Sequence, residues 1–414
     1  MSAERSPGAR AALVRTQRTA LAVFLSVFAT SWVIVGVLLA PVAGGWVTIA
    51  TAALLLTVVP LGVLFRSRGS AHYPGAAVRL LVFRPMWYAQ LLLILSALGG
   101  LVGAIGGLPF GSAGRAGRGA IALVAIVYTL FALIGYAGSR RFVVATLTVT
   151  WPALPEALDG LRIAQICDTH IGPHTSRAQL ARVASAVRRA EPDLVAIVGD
   201  LIDDFAPDVS HYARAFGGLS APLGVYIVPG NHEVYAGWSE VLRRLRALSH
   251  TVLVNESRLL EHRGARLAIA GTGDPAAGRI PGPGVPAPDI AATLANVPDG
   301  VFTIVLAHNP ALWPSLAKAG VSLTLSGHTH WGQLSVNRSG WSLANVFLEL
   351  AMGAYRRGES LLYVSPGTNY WGIPFRIGAR AELSILTLAR GPDTGIAGPQ
   401  SVDARARLAR ATTM

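Results

Sequence analysis

Four long apolar stretches between residues 20 and 137 constrain this chain more than any other feature of its sequence. Crossing the roughly 30 Å hydrocarbon core of a bilayer takes about 20 helical residues, and each stretch is about that long with almost no charge. The first is followed directly by the second, without a cleavage site of small residues, so it is not a removable signal segment. The sequence therefore predicts a basic cytoplasmic tail at 1–19 and a membrane domain at 20–141 with four transmembrane helices, at 20–40, 46–65, 86–106 and 119–137.

Arginine residues are distributed unevenly around these stretches. Ten lie on one side, namely Arg5, Arg10, Arg15, Arg18, Arg66, Arg68, Arg79, Arg84, Arg140 and Arg141. Only two, Arg115 and Arg118, lie on the other. Positive charge favours the cytoplasmic side of a membrane. We therefore expect a multi-pass protein of the cell (inner, cytoplasmic) membrane, with both ends and the soluble part after residue 141 in the cytoplasm. The single cysteine, Cys167, agrees, because it cannot form an intrachain disulfide.

The net charge of +13 comes almost entirely from arginine. No motif typical of RNA or DNA recognition accompanies this charge, so no nucleic-acid partner is expected. Arginine on the cytoplasmic face is instead well placed to contact the anionic headgroups of membrane lipids. The end of the chain, at 391–414, is rich in Gly, Ala, Pro, Ser and Arg with little to bury, and we expect it to be disordered.

From residue 160 onward, short apolar runs alternate with helical patterns, which indicates an α/β domain. The predicted helices cover 176–190, with Ser176 as the N-cap, and about 237–249. Five of the apolar runs end in polar residues: 161–170 in Asp168 and His170, 192–200 in Asp200, 222–233 in Asn231 and His232, 302–310 in His308, and 321–330 in His328 and His330. Strand ends of this kind gather along one edge of a sheet, where ligands bind. Glycines beside them let the backbone turn sharply and approach closely.

These polar residues form a chemically specific set. Two carboxylates, one amide oxygen and several imidazoles, without a thiolate, suit Mn²⁺, Fe or Zn²⁺ better than Ca²⁺ or a structural zinc finger. Seven candidate ligands are too many for one ion and are about right for two ions that share a bridge. Paired ions about 3.5–4 Å apart are a recognised arrangement for in-line displacement at phosphorus. The sequence therefore predicts a dinuclear metal site.

The same residues resemble a known family. DTH at 168–170, GDLID at 199–203, GNHE at 230–233, the histidine of AHNP at 307–310 and GHTH at 327–330 are similar to the five signature blocks of the calcineurin-like metallophosphoesterases. The stretches 154–172 and 363–388 resemble the membrane-associated bacterial branch of that family. The resemblance covers about 145–390 and does not include the apolar stretches. It implies a fold of two packed mixed β-sheets flanked by helices, over a metallophosphoesterase domain at 142–390.

The resemblance also implies roles for individual residues. Asp168, His170 and His330 would hold one divalent ion, Asn231, His308 and His328 the other, and Asp200 would bridge the two. Manganese is favoured over iron and zinc. His232 would not bind metal but would protonate the leaving oxygen or stabilise the charge of the transition state. Asp203 would either orient a ligand histidine or serve as a turn residue, and both readings stay open.

This chain departs from the family pattern in three places. Trp331 follows GHTH where this branch usually has glycine, which suggests a rim beside the metals that is narrower or can stack a ring. Thr169 stands where leucine is more common, a minor change. The segment 341–357 is unusually apolar, and we interpret it as packing into the core in preference to contacting a membrane or an acyl chain.

The expected reaction is hydrolysis of a phosphodiester or a pyrophosphate by attack of a metal-bridging hydroxide. Only about 27 residues separate Arg141 from Asp168, so the site should lie near the bilayer surface. A lipid-linked pyrophosphate or lipid phosphodiester at the cytoplasmic face is therefore the leading substrate class, and soluble nucleotides are the alternative. A non-catalytic metal-bound sensor is disfavoured, because Asp200, Asn231 and His232 are all present.

Overall fold

The computed structural model describes residues 7–67, 75–172, 175–278, 286–336 and 340–398. The chain divides into two compact units, Met1–Ile134 and Gly135–Met414. The first unit is helical and the second contains the predicted α/β domain.

The first unit consists of apolar helices. They are α1 (Pro7–Leu39), α2 (Trp46–Ala53), α3 (Val59–Ser67), α4 (Ala76–Val78), α5 (Arg84–Gly107) and α6 (Ala113–Ser139), the last of which extends into the second unit. Wider π-type turns at 54–58 and 79–83 join α2 to α3 and α4 to α5 without a break in the helix. Within the described residues, four helices are long and apolar enough to cross a membrane, over Ala22–Leu39, Trp46–Leu64, Arg79–Phe110 and Ala113–Ser139.

The four predicted spans are therefore confirmed as apolar helices of membrane-spanning length. Most of their apolar side chains point away from the unit, as expected where lipid rather than protein covers them. One network joins buried polar side chains of these helices. Thr57 accepts a hydrogen bond from the indole N–H of Trp32, at 2.9 Å, and donates to Gln90, at 3.1 Å. The described part of the predicted basic tail is helical and continuous with the first span.

The second unit is built on two mixed β-sheets. In chain order the strands are β1 (Phe142–Trp151), β2 (Arg162–Ile166), β3 (Leu194–Val198), β4 (Val225–Val228), β5 (Thr251–Val252), β6 (Glu256–His262), β7 (Ala265–Gly271), β8 (Phe302–Leu306), β9 (Leu323–Ser326), β10 (Ser335–Val336), β11 (Trp341–Ser342), β12 (Gly353–Arg357), β13 (Ser360–Val364), β14 (Ala381–Arg390) and β15 (Gly395–Ala397). One sheet has the order β15-β1-β14-β2-β3-β4-β5, the other has the order β12-β13-β9-β8-β7-β6, and β10 pairs with β11 alone. The strands β2 to β5 run parallel, as do β7, β8, β9 and β13.

The two sheets pack face to face because both faces of their central strands are apolar. Alternate residues of β3, such as Leu194 and Val198, join residues of the other sheet, such as Leu306 and Leu325, in one buried core. The intervening residues of β3, such as Val195, face helices on the outer side. Those helices are α7 (Arg177–Ala190), α8 (Val209–Phe216) and α10 (Trp238–Leu245), while α11 (Ile290–Leu294) and α12 (Trp313–Lys318) cover the second sheet. The predicted fold, two packed mixed sheets flanked by helices, is confirmed.

Local predictions hold with small shifts at the boundaries. Helix α7 begins one residue after Ser176, which occupies the N-cap position but makes no capping hydrogen bond through its side chain. Helix α10 ends earlier than predicted, at Leu245. The tail was expected to be disordered from residue 391, but β15 pairs with β1 at the edge of the first sheet. The rest of that predicted tail, 399–414, lies outside the described residues.

Candidate metal centre

The five polar strand ends meet at one edge of the second unit, as the sequence predicts. Three of these strand ends belong to β2, β3 and β4 of one sheet, and the other two belong to β8 and β9 of the second sheet. All seven predicted ligands and His232 lie there and are buried or nearly so. The structure thus brings together every residue that the sequence singled out as a ligand.

One group consists of Asp168, His170 and His330. Their ligand atoms lie within 4.8 Å of one another. The Nε2 atoms of the two histidines face each other at 3.0 Å, and Nε2 of His330 lies 3.3 Å from Oδ1 of Asp168. Two ring nitrogens and a carboxylate oxygen directed at one point suit a cation with borderline ligand preferences.

A second group consists of Asp200, His308 and His328, joined by Asn231. Nε2 of His308 lies 3.2 Å from Oδ2 of Asp200, and Nδ1 of His328 lies 2.8 Å from Oδ1 of Asn231. Oδ2 of Asp200 also faces the first group, since it lies 3.6 Å from Nε2 of His170. One carboxylate oxygen therefore stands between the two groups.

Groups behind two of the ligand histidines face the nitrogens that point away from the ligand groups. Nδ1 of His308 donates to the carbonyl of Val198 at 2.8 Å, so its Nε2 faces Asp200. Nδ1 of His170 lies 3.5 Å from the carboxylate of Asp203. Such a partner orients a metal-binding imidazole. The carboxylate of Asp203 lies beside His170 without a hydrogen bond to Nδ1, so both readings of Asp203 stay predictions.

Left-handed backbone conformations mark the same strand ends. Five of the residues have positive φ, namely Asp168 (52°), His170 (37°), Asp200 (50°), His328 (70°) and His330 (49°). This region is unfavourable for residues other than glycine, and such strain concentrates at functional sites. The close approach also requires glycine nearby. A Cβ on Gly327 would lie 2.2 Å from Oδ2 of Asp168, and one on Gly230 would lie 2.2 Å from Oδ1 of Asp200.

The site contains buried negative charge that bound cations would stabilise. The carboxylates of Asp168 and Asp200 are fully buried, and within the described residues neither forms an ion pair with lysine or arginine. Burial raises the pKa of the Asp168 carboxyl. Burial acts in the same direction on Asp200, but His308 and other imidazoles hold the pKa of its carboxyl well below its ordinary range. Two buried carboxylates without a lysine or arginine partner fit a pair of divalent ions, because isolated buried charges are costly.

The histidines of GHTH are in the form that binds metals. Burial, together with the charge of His308, lowers the pKa of His328 to about 4. Burial and the neighbouring His170 and Arg376 hold the pKa of His330 well below its ordinary value. Both imidazoles are therefore neutral at neutral pH, as metal ligands must be.

His232 differs from these ligands in its electrostatic environment. Its backbone N–H donates to Oδ1 of Asp200 at 3.0 Å, and its Nδ1 donates to the carbonyl of Asp203 at 2.7 Å. Nδ1 also lies 3.1 Å from the carboxylate of Asp204. Burial would lower the pKa of His232, but the hydrogen bond to Asp204 and the charges of Asp200, Asp204 and Asp203 raise it to about 10. The ring therefore carries a proton beside the two groups.

Sequence reasoning overlooked Glu233, the last residue of GNHE. Its fully buried carboxylate accepts hydrogen bonds from the backbone N–H groups of Asp200, Leu201, Ile202 and Gly230. It thereby ties the loop that carries Asp200 to the loop that carries Asn231. Its position three residues after Gly230 fits a helix cap, which was the only signal that the sequence offered.

Arg376 was overlooked as well. Its guanidinium is fully buried and donates to the carbonyls of Ala379, at 2.9 Å, Pro366, at 2.7 Å, and Asn369. Nη2 lies 3.3 Å from Nδ1 of His330, directly behind the first ligand group. Burial lowers the pKa of Arg376 to about 10. No sequence pattern indicates that Arg376 is buried, because it lies in a loop without periodicity.

Trp331 is not a rim residue, and the prediction that it narrows the entrance is wrong. Its side chain is fully buried with Met352 and Ala379, and its indole N–H donates to the carbonyl of Val364 at 2.9 Å. Its backbone has φ 52° and ψ 32°, a left-handed conformation that explains why glycine suits this position. That backbone turns the ring inward, so it cannot contact a substrate.

The structure divides the apolar segment 341–357. The second half packs inward, with Ala351 and Met352 fully buried, as the preferred interpretation requires. The first half does not, since the exposed fraction is 60% for Val346 and 81% for Phe347. Its backbone lies against the GHTH loop, where the N–H of Leu343 donates to the carbonyl of Leu334 at 2.8 Å. The core-packing interpretation is therefore wrong for Leu343 and for residues 346–348, which are exposed, whereas Ala344 between them is buried.

Comparison with known proteins gives a consistent result. The family described as Calcineurin-like phosphoesterase matches residues 161–332. The chain is 37% identical over 248 residues to a "Transmembrane protein with metallophosphoesterase domain" of Danio rerio, an alignment that covers 57% of this chain and 54% of the relative. It is 30% identical over 250 residues to an uncharacterized metallophosphoesterase of Aquifex aeolicus (strain VF5), which covers 59% of this chain and 91% of the relative.

These alignments differ in their extent. The chain spans about half the length of three curated relatives, since the alignments cover 54%, 57% and 48% of those proteins. Among solved structures, the NAD nucleotidase NadN of Haemophilus influenzae is 17% identical with a TM-score of 0.37, covering 61% of this chain and 56% of that one. A likeness this weak adds nothing to the assignment. The match of the five motif blocks and the near-complete coverage of the Aquifex aeolicus relative show that the chain belongs to the calcineurin-like phosphoesterase family.

Proposed function

We propose that this chain is a membrane-anchored, dinuclear-metal phosphohydrolase that cleaves a phosphodiester or a pyrophosphate. The supporting observation is the convergence of two buried ligand groups around Oδ2 of Asp200. Asp168, His170 and His330 would hold one divalent ion, and Asn231, His308 and His328 the other, with Asp200 shared. Manganese is the favoured metal, because oxygen and imidazole donors without thiolate suit it. When bound, two such ions would acidify the attacking water and offset the charge on the phosphate oxygens.

His232 is the residue best suited to assist the leaving group. It carries a proton at neutral pH, and its Nδ1 is occupied by Asp203 and Asp204. Nε2 would then be the atom that donates a proton to the departing oxygen. The ring contacts His170, with a distance of 4.6 Å between their centroids, and therefore lies beside the first ligand group.

The substrate that we propose is a lipid-linked pyrophosphate or a lipid phosphodiester. Two observations support this class: the four apolar helices, and the exposed apolar residues of 343–348 on the phosphoesterase domain itself. Exposed apolar surface of this kind typically meets lipid or another apolar partner. The arginine distribution supports a multi-pass protein of the cell membrane with the catalytic domain at its cytoplasmic face, in contact with membrane lipids.

The decisive assay uses the full chain purified in detergent, loaded with Mn²⁺, beside a metal-stripped sample. Release of nitrophenol from bis-(p-nitrophenyl) phosphate and from p-nitrophenyl phosphate separates diester from monoester hydrolysis. A lipid pyrophosphate and a soluble nucleotide are then compared. Metal-dependent turnover that favours the diester and the lipid substrate is expected. Preference for the nucleotide would refute the lipid class, and no turnover with two metals bound would favour a sensor.

Two variants separate the proposed roles. His232→Ala should keep its metals while kcat falls by about 10²–10⁴-fold, the usual contribution of acid–base assistance. Loss of metal in this variant would contradict its assignment as the proton donor. Asn231→Ala should lose occupancy at one of the two metal sites, as measured by elemental analysis, and full retention of both ions would remove Asn231 from the ligand set.

A further inference from the structure

Two half-exposed aromatic side chains lie against His232. The ring centroid of Tyr235 is 5.3 Å from that of His232, and the centroid of Trp371 is 6.1 Å away. Both rings are tilted against the imidazole, at 60° and 72°. Tyr235 is 48% exposed and Trp371 is 51% exposed, whereas His232 is buried. The surface next to the proposed proton donor is therefore aromatic and open to solvent.

Tyr235 is held in place by local geometry. It follows His232 by three residues in the short helix α9 (Asn231–Tyr235), which lies directly before α10 in the chain. Residues three apart lie on the same face of a helix, so the two rings meet. The side chain also interacts with Asn231, one of the proposed ligands. Tyr235 thus sits between the ligand group and solvent.

Trp371 reaches the same place from a distant part of the chain. The side-chain amide of Gln333 holds its backbone, because Oε1 accepts from the N–H of Trp371 at 2.9 Å and Nε2 donates to its carbonyl at 3.1 Å. Upstream in the same loop, the side chain of Asn369 donates to the carbonyl of Thr169 at 2.8 Å. The loop is therefore fixed to the strand end that carries Asp168, while half of the Trp371 surface stays open.

We propose that Tyr235 and Trp371 form a subsite for the leaving group, and that this group presents a flat ring face next to its ester oxygen. This subsite rests on the proposed function. If Nε2 of His232 protonates the departing oxygen, the group attached to that oxygen must pass beside the side chains that contact His232. Exposed indole and phenol faces bind other rings by stacking. The stacked ring of the leaving group can be that of a sugar or that of a nucleobase.

The test measures binding and not turnover, so it stays informative if the proposed reaction is wrong. Phenylphosphonate and methylphosphonate share the phosphonate that would face the metals, but only the first carries a ring. Calorimetry on the Mn²⁺-loaded full chain should show tighter binding of phenylphosphonate. Stacking of one ring on an aromatic side chain typically contributes about 1–3 kcal/mol, so Trp371→Ala should weaken phenylphosphonate binding by roughly 5- to 150-fold and leave methylphosphonate unchanged.

Matched variants exclude a general effect of losing an aromatic residue. Trp371→Phe retains a ring and should keep most of the difference between the two phosphonates. Trp341→Ala removes a tryptophan that is 40% exposed on β11, and it should bind both phosphonates as the unaltered chain does. Tyr235→Ala should resemble Trp371→Ala. Metal content and the thermal midpoint of every variant confirm that the site and the fold are intact.

The source of the ring is then identified with a sugar 1-phosphate and a nucleoside 5′-monophosphate as competing ligands. Weaker binding of either one in Trp371→Ala supports the subsite and shows which kind of ring it accepts. Equal affinities of the unaltered chain and of Trp371→Ala for all the ring-bearing ligands would overturn the proposal. If phenylphosphonate binds more tightly than methylphosphonate, as expected, but no ester is hydrolysed, the proposed reaction is wrong while the aromatic subsite is supported.

Discussion

The buried carboxylate of Glu233 provides the sharpest test of how the two halves of the site are joined. Oε1 accepts from the N–H groups of Leu201, at 2.8 Å, and Ile202, at 3.2 Å. Oε2 accepts from those of Asp200 and Gly230, both at 2.8 Å. Glu233→Gln keeps the shape of the side chain but can retain only one accepting oxygen, so two of these four hydrogen bonds are lost.

The expected loss of stability follows from this count. A buried N–H group left without an acceptor costs about 1–3 kcal/mol, so two cost about 2–6 kcal/mol. Part of this is recovered, because the substitution also removes a buried charge whose pKa is raised by burial and by the charge of Asp200. A net loss of roughly 2–4 kcal/mol is expected. For a domain of this size it corresponds to a fall of roughly 5–15 °C in the thermal midpoint.

The assay follows tryptophan fluorescence during heating of the full chain in detergent, with metal content measured after dialysis. Since the loop that carries Asp200 loses its anchor, we expect occupancy of the metals to fall together with the midpoint. Glu240→Gln is the matched control, because Glu240 lies on the surface and pairs only with the exposed Arg243 and the neighbouring Arg244. It should leave both quantities unchanged. An unaltered midpoint and full metal content in Glu233→Gln would refute the view that this carboxylate joins the two loops.

Three further substitutions test other parts of the site. Asp200→Asn should deplete both metal sites, because one carboxylate oxygen faces both ligand groups; elemental analysis showing one ion fully retained would argue against a shared ligand. Arg376→Met should lower the thermal midpoint and reduce metal occupancy at the group containing His330, because three carbonyls lose their donor and the group packed behind that ring is removed; normal metal content would show that the guanidinium does not position His330. Trp331→Phe should destabilise the chain by about 1–3 kcal/mol through loss of its hydrogen bond to a buried carbonyl, with KM unchanged, and an altered KM would place the ring within reach of substrate.

The apolar helices and the strand ends could be predicted because their signals are local. The length of an apolar stretch and the spacing of its apolar residues are properties of consecutive residues. A polar residue directly after an apolar run can likewise be recognised without knowing which residues lie near it in space. Asp168, Asp200 and His308 could therefore be identified as one site. The parallel arrangement of the strands that carry them brings their ends together at one edge.

The exposed or buried state of single side chains outside these runs could not be predicted. Trp331 and Phe347 are both large apolar residues in loops, yet one is fully buried and the other is 81% exposed. Trp331 turns inward because a left-handed backbone directs its ring toward Met352 and Ala379. Such a backbone conformation leaves no periodic signal in the sequence.

The supporting residues show the same division. The apolar spans, the strands and the ligand types at the strand ends follow from the amino-acid sequence, since each depends on residues adjacent in the chain. Three contacts depend on the folded arrangement: Glu233 accepts from two separate loops, Arg376 lies behind His330, and Trp371 contacts His232. These contacts join residues up to about 140 positions apart, between His232 and Trp371. Burial and hydrogen bonding at such sites depend on which distant surface covers them, and that is a property of the folded chain.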